Sequence, residues 1–389
     1  MSDSQEHLER RLQGIVGADN ASACQPWLPG TSLPAEITQA RPAGEEQARE
    51  LLRLAAADGL RVLPCGAGSK LGLEVPREKA SFAISTERLS GIIALEPADG
   101  TLTAWAGTPM VDLVHAVASA GRRLTPNITS TRATLGGAIA TAETGADRLR
   151  YGPLRDQLLG MRALLSAEIS SKSGGRLVKN VAGYDLHRAH CGGRGRLGLI
   201  LEATLRLHPS LAIEQHFTQA VDNVRQGLAL AESVLASTGR PLGVRILASK
   251  EGTSLHIHLG GREDVVEQEK AQLAISCGAL EPSKPIQLGQ PMLSVQSLRS
   301  SALKAAEWVA DARAKLSLDA TLVLDPGIAV ASLAHESAPI SRLQIAQLPP
   351  CPSQLQVVLP SDPMREAAPG VAQLEAAVQR ALDPLGIFA

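Results

Sequence analysis

Residues 64–70 read Pro64-Cys65-Gly66-Ala67-Gly68-Ser69-Lys70, directly after the short apolar run Arg61-Val62-Leu63. Two glycines this close behind a strand let the backbone take positive φ and bring N–H groups near an anion. Successive N–H groups in such a turn form a concave nest for phosphate oxygens, to which Ser69 adds a hydroxyl and Lys70 a charge. The spacing is not G-x-x-x-x-G-K-[ST]. Nor is it G-x-G-x-x-G, because position 71 is leucine. Taken alone, the stretch also reads as a plain strand-to-loop turn.

Three further glycine clusters lie downstream. Ala133-Thr134-Leu135-Gly136-Gly137 is followed by Thr144-Gly145 and Tyr151-Gly152. Gly174-Gly175 leads into Lys179-Asn180-Val181-Ala182-Gly183-Tyr184-Asp185. Gly192-Gly193-Arg194-Gly195-Arg196-Leu197-Gly198 feeds an apolar stretch beginning Leu199-Ile200. Four clusters in one half exceed what routine turns require. A cofactor with an extended pyrophosphate needs several such close backbone approaches.

Around the clusters, periodicity predicts a helix over 44–58 stopped by Gly59, and strands over 61–63, 81–84, 91–95, 101–106 and 198–207. Pro109 opens a helix reaching Ala120. The second half predicts helices over 222–238, 301–315 and 373–382 and strands over 241–247, 254–259 and 320–324, with loops at 282–291 and 349–352. This pattern is α+β. It divides into a weakly ordered lead-in (1–33), a domain over 34–209 ending at Pro209, and a smaller α+β domain over 210–389.

With 389 residues, 44% hydrophobic and 20% charged, the composition is that of a globular protein of two domains. Aromatics are 2%, so aliphatic side chains must build the cores. A net charge of -1 gives no pull toward nucleic acid or an anionic membrane. Cys24, Cys65, Cys191, Cys277 and Cys351 are dispersed, which argues against a disulfide framework, a zinc site or an iron–sulfur site. A polar N-terminus and the lack of roughly 18 consecutive apolar residues lead us to expect a cytoplasmic protein.

The runs PCGAGSK (64–70), ATLGG (133–137), RYGPLRDQLLG (150–160), GGRLVKNVAGYDLHR (174–188) and GRGRLGLILEATLRLHP (193–209) resemble the FAD-binding domain of vanillyl-alcohol-oxidase-type flavoproteins. Within that family the resemblance is to the E-subunit branch of bacterial glycolate oxidases, whose D-P-x-G-I-F ending is similar to ALDPLGIF (381–388). It implies a two-subdomain PCMH-type FAD-binding domain followed by a smaller α+β cap domain. By this resemblance Pro64, Cys65, Gly66, Ala67, Gly68, Ser69 and Lys70 hold the FAD pyrophosphate. Thr134, Leu135, Gly136, Gly137, Thr144 and Gly145 line the flavin side. Gly198, Leu199 and Ile200 meet the adenine half. Relatives with covalent flavin often carry a histidine in the first loop; its absence here implies non-covalent FAD. The chain departs from the family at Cys65, at Thr144-Gly145-Ala146-Asp147-Arg148 in place of S-G-P-R-R, at Ser166-Ala167, and at Gly193 and Arg196.

Oxidising a 2-hydroxy acid needs a base for the hydroxyl proton and a cation for the carboxylate. The H-x-G-D-G-N-x-H motif of the related catalytic subunit and D-lactate dehydrogenases is missing. His256 and His258 share one strand face, with no neighbouring carboxylate or third histidine apparent to complete a metal set. His187 and His190 read as helix surface and Cys65 as a small buried residue. Tyr184 and Asp185 read as loop-fixing hydrogen-bonders. Lys179 reads equally as a solvated loop lysine or a sensor of flavin or substrate charge. Arg148, Arg150 and Arg155 read as a salt-bridged surface. No catalytic residue and no metal ligand is assigned. The resemblance implies work beside a catalytic flavoprotein subunit and an iron–sulfur subunit. That complex oxidises glycolate, a small 2-hydroxy acid, to glyoxylate, and touches the inner membrane only through partners. A structural subunit with a degenerate FAD site and a stand-alone FAD-dependent dehydrogenase are the alternatives.

Overall fold

The computed structural model describes residues 3–23, 37–69, 80–125, 132–143, 145, 147–175, 184–237, 241–278, 280–286, 290–296, 299–315, 320–327, 330–335, 356–358 and 371–388. They group into two units. The first holds Met1–Glu143, Pro153–Pro209 and Glu366–Ala389; the second holds Thr144–Gly152 and Ser210–Arg365.

In the first unit, α1 (Asp3–Val16) and α2 (Glu45–Asp58) pack with a four-stranded sheet. Its strands are β1 (Ala21–Ala23), β2 (Thr38–Ala40), β3 (Val62–Cys65) and β4 (Phe82–Ser85), in the order β1-β2-β4-β3. Glu45 and Glu46 favour the positive end of α2, while Ala48, Leu51, Leu52 and Ala55 place one apolar stripe on the sheet. Gly59 ends the helix at φ 64°. The lead-in expected over 1–33 is corrected at its start. Leu8, Leu12, Ile15 and Val16 recur at helical spacing within a polar sequence, and Leu12 and Val16 are buried in this core.

A second, antiparallel sheet has the order β5-β6-β9-β7-β8, formed by β5 (Ile92–Glu96), β6 (Thr101–Trp105), β7 (Leu158–Leu164), β8 (Ser170–Gly174) and β9 (Leu199–Arg206). α3 (Met110–Ser119) and α4 (Leu135–Ala140) bury Met110, Leu113, Val117, Leu135 and Ile139 against it. The short α5 (Leu186–His190) packs on β7 and β8.

Among the described residues, the second unit is built on one eight-stranded antiparallel sheet on which three long helices pack. Its strands are β10 (Ile213–Val221), β11 (Gly243–Ala248), β12 (Thr253–Gly261), β13 (Glu281–Ser283), β14 (Gln290–Gln296), β15 (Thr321–Asp325), β16 (Val330–His335) and β17 (Gln356–Val358). They run in the order β13-β10-β12-β11-β15-β16-β14-β17. Along β12, Leu255, Ile257 and Leu259 turn into a core with Phe217, Val244 and Ile246, while Ser254, His256 and His258 take the other face. α6 (Val224–Ala236), α7 (Glu263–Cys277) and α8 (Ala302–Lys315) complete that core. The loop expected over 282–291 loses its ends to β13 and β14. Pro282 is tolerated because β13 is an edge strand. The loop expected at 349–352 lies outside the described residues.

The last helix, α9 (Val371–Leu382), and the tail return to the first unit rather than closing the second, which corrects the division at 210–389. Asp383 accepts from the N–H groups of Ile387 and Phe388, both at 2.9 Å, and Val62 N–H donates to the Ile387 carbonyl at 2.7 Å. All three phenylalanines, Phe82, Phe217 and Phe388, are buried in the cores.

Candidate cofactor site

β3 delivers the chain into the first glycine loop, and its partner β4 holds the turn. Thr86 donates to the Cys65 carbonyl through its N–H (2.9 Å) and its hydroxyl (3.2 Å), and the Ser85 hydroxyl donates to the Gly66 carbonyl (3.3 Å). Gly68 takes φ 71°. The second cluster is fastened to the end of β6: Leu135 N–H donates to the Thr108 carbonyl (2.9 Å) and Gly136 N–H to that of Ala106 (2.7 Å). Thr134 Oγ1 accepts from Gly137 N–H at 3.3 Å, capping α4. The fourth cluster crosses the end of α4, with Gly192 N–H donating to Ile139 and Arg194 N–H to Ala140, both at 2.9 Å.

Two close approaches explain why glycine stands where these loops meet. A Cβ on Gly66 would coincide with the Thr134 hydroxyl. Gly198 sits at φ 140°, where a Cβ would lie 2.6 Å from the Leu164 carbonyl oxygen.

Together the loops wall an open cleft within the first unit. Pro64, Cys65, Gly66, Ala67, Gly68, Ser69, Thr134, Gly136, Gly137, Gly198, Leu199 and Ile200 line it. Leu135 does not: it is fully buried in the core beneath α4, because α4 turns its apolar side toward the sheet. Lys70 and Thr144 lie outside the described residues, and Gly145 belongs to the second unit. Sequence reasoning missed Glu143 and Arg194, the charged lining residues among those described. Arg194 lay in plain view inside the fourth cluster. Its carbonyl-facing loop is closed by Gly193 N–H donating to His190 (3.0 Å) and Arg196 N–H to Gly193 (3.0 Å), so the departures at Gly193 and Arg196 leave that turn intact.

Other candidates are placed differently from expectation. His187 and His190 are buried, not on a helix surface, because α5 packs onto β7 and β8. His187 Nδ1 is 2.8 Å from the Ser173 hydroxyl. Burial, with His187 beside it, pulls His190 down to about 4, and burial pushes the neighbouring Cys191 thiol up to about 11. Cys65 is half-buried in the cleft wall, its Sγ 3.6 Å from the Ile84 carbonyl and 3.7 Å from Gln39 Nε2. Tyr184 is 90% exposed, and only its backbone carbonyl fixes the loop, accepting from the Ser173 hydroxyl (3.1 Å). Asp185 pairs with Arg188 at 3.2 Å. Lys179 lies outside the described residues. Arg148 and Arg150 fall in the second unit and Arg155 in the first; Arg150 donates to the Gly260 carbonyl.

His256 and His258 do have the neighbours that the sequence hid. Pairing of β10 with β12 sets His216 opposite His258, their rings stacked at 4.0 Å, and Glu214 Oε2 lies 2.9 Å from His258 Nε2. Stacked rings do not converge on an ion, and no cluster able to hold a metal occurs among the described residues. On the same face, Arg245 Nε meets Asp325 Oδ1 at 2.6 Å. Burial pushes the Asp325 carboxyl up and Arg245 opposes it.

The cleft suits a dinucleotide. Gly66, Ala67, Gly68 and Ser69 carry four successive backbone N–H groups at the cleft wall, with Gly68 at φ 71°, the makings of an anion nest. Small walls such as Ala106, Ala133 and Ala138 leave room for a ring system.

Residues 39–168 match the family described as FAD binding domain, and FAD is accordingly the cofactor of this segment. The glycolate oxidase subunit GlcE of Escherichia coli (strain K12) is 32% identical over 218 residues, covering 54% of this chain and 62% of that protein. A D-lactate dehydrogenase of Archaeoglobus fulgidus is 26% identical over 257 residues, covering 62% and 57%. The chain spans about half the length of the curated relatives it matches. Among solved structures, p-cresol methylhydroxylase with substrate bound superposes with a TM-score of 0.74 at 13% identity, over 100% of this chain and 96% of that one. The fold is thus α+β of the PCMH type. Among the described residues no helix is long and apolar enough to cross a membrane.

Proposed function

We propose that the chain is an FAD-dependent oxidoreductase subunit, the FAD-binding member of a glycolate oxidase-type complex. The observation that carries this reading is the meeting of three glycine loops around one cleft, two of them inside the segment 39–168 that matches an FAD binding domain. The N–H groups of residues 66–69 hold the pyrophosphate, the segment 134–137 borders the flavin ring, and Gly198, Leu199 and Ile200 face the adenine half. Held without a covalent bond, FAD would supply a two-electron acceptor at this cleft. The chain's own part is to bind, orient and exclude water. Fixed N–H dipoles position the phosphates without reorganising, and the alanine-rich walls keep the ring dry. The names of the GlcE and D-lactate dehydrogenase relatives support a small 2-hydroxy acid as the substrate class, and the GlcE name supports glycolate within it.

Glu143 and Arg194 are the charged lining residues of the cleft among those described, and neither is assigned a catalytic role here; substrate oxidation is placed on a catalytic flavoprotein partner. Electrons leave through an iron–sulfur partner, since the five dispersed cysteines form no cluster motif. The assembly meets the inner membrane through those partners. The test is the visible spectrum of the chain loaded with FAD, before and after glycolate is added. Flavin bands that glycolate bleaches only when partner subunits are present support this reading. Bleaching in the isolated chain would instead make it a dehydrogenase in its own right, and absence of flavin bands would leave a structural subunit.

A further inference from the structure

We propose that Arg194 is the residue that selects a dinucleotide: its guanidinium pairs with the phosphates held over residues 66–69. The inference rests on the FAD reading of the cleft. Arg194 is the cation among the described lining residues, and Glu143 is the carboxylate. Backbone N–H groups offer only partial charges, whereas a diphosphate brings full negative charges into a cleft whose remaining walls are neutral and small. A planar guanidinium meets phosphate oxygens with two parallel donors, which suits it to this task.

Placement supports the role. Gly195, the next residue, lies against the first loop: a Cβ on it would be 3.3 Å from Pro64 Cβ. Arg194 therefore stands beside the start of the loop that offers the N–H nest. Its backbone is held at φ 54°, a left-handed conformation that residues with side chains rarely adopt. Ala142, at φ 49°, is the other such residue among those described, and the crossing loop packs on it: a Cβ on Gly192 would be 3.5 Å from Ala142 Cβ. Three glycines, Gly192, Gly193 and Gly195, surround Arg194 in sequence. A fourth would suit this backbone better than arginine does. Departures from local preference of this kind concentrate where a ligand is held.

The test compares the full chain with Arg194→Gly and Arg194→Lys, reading melting temperature without flavin and then the dissociation constants for FAD and riboflavin by fluorescence at low and high salt. The melting temperature without flavin shows whether Arg194→Gly remains folded and sets the baseline for the binding comparison. That variant should bind FAD roughly ten- to a hundredfold more weakly, as expected for loss of a charge-assisted hydrogen bond, with a flatter salt dependence. Riboflavin, which has no phosphate, should bind parent and variant alike, and Arg194→Lys, which keeps the charge but not the fork, should bind FAD with an affinity between those of the parent and Arg194→Gly. If the glycine variant fails to fold, Arg194→Gln carries the same expectations. Equal FAD affinity in parent and neutral variants would overturn the role of Arg194, as would an equal loss for riboflavin. A parent chain that takes up no FAD would overturn the cofactor reading itself, and this inference with it.

Discussion

Gly66 lies so close to Thr134 that a Cβ on the glycine would coincide with the threonine hydroxyl and fall 3.1 Å from its Cβ. Thr134 is itself buried, and its hydroxyl caps α4, so it has nowhere to retreat. This contact joins the first glycine loop to the second. Gly66→Ala should therefore force the two apart, costing about 1–3 kcal/mol of stability as overpacking usually does. FAD affinity should fall with it. Thermal melting and an FAD titration check both, and an alanine variant that binds FAD as tightly as the parent would show that the contact is not part of the cleft's design.

Phe388 is fully buried beside Val62, the residue that opens β3, and β3 runs straight into the cleft loop. Phe388→Ala should cost about 3–5 kcal/mol and loosen the loop's footing. We expect a lower unfolding midpoint in urea and weaker FAD binding, although the ring is outside the cleft. A tail variant that loses stability but keeps full FAD affinity would separate the two.

Arg245 and Asp325 form a pair in which the carboxylate is the more deeply buried partner. Removing Arg245 strands a buried charge, so Arg245→Met should cost about 3–5 kcal/mol at neutral pH. Asp325→Asn leaves a half-exposed guanidinium that water can reach and should cost less. Chemical denaturation of both variants ranks them; the reverse ranking would contradict the burial argument.

His190 gives a pH dependence of definite sign. Its folded pKa of about 4 lies below the ordinary 6.5, so the unfolded chain takes up this proton first as pH falls. Its contribution is whole above about 6.5 and is lost progressively down to about 4, a span of about 3 kcal/mol. His190 Nε2 has no hydrogen-bond partner among the described residues, so His190→Leu sacrifices none there. His187, His208, His216 and His256 are also held low, chiefly by burial, and will give both proteins some slope. The difference between parent and variant isolates His190: the variant should lose less stability between about pH 7 and about pH 4.5. Identical losses would refute it.

What could be read from sequence was local. The glycine clusters, the helix capped by Gly59 and the apolar run of β9 each announce themselves within a dozen residues. What could not be read was set by partners distant in the chain. β10, IEQHFTQAV, is too polar to stand out, and only its pairing with β12 reveals that His216 and Glu214 join His258. α7 buries little beyond Val266, Leu273 and Cys277, too sparse a stripe to signal a helix. α1 was hidden by its polar average, and the return of the tail to β3 has no local signature beyond Asp383 itself. In the cleft, the glycine-bearing loops were legible because glycine marks backbone approach. Arg194 was not singled out, because a left-handed φ on an arginine leaves no trace in its neighbours' periodicity.

The measurement that tests the account most directly is equilibrium titration of the purified chain with FAD, followed by its visible spectrum. The account predicts saturable uptake of one FAD per chain, with flavin bands shifted from those of the free cofactor and removable on denaturation. A folded chain that shows no uptake with FAD in excess would contradict the claim that these glycine loops were assembled to hold it.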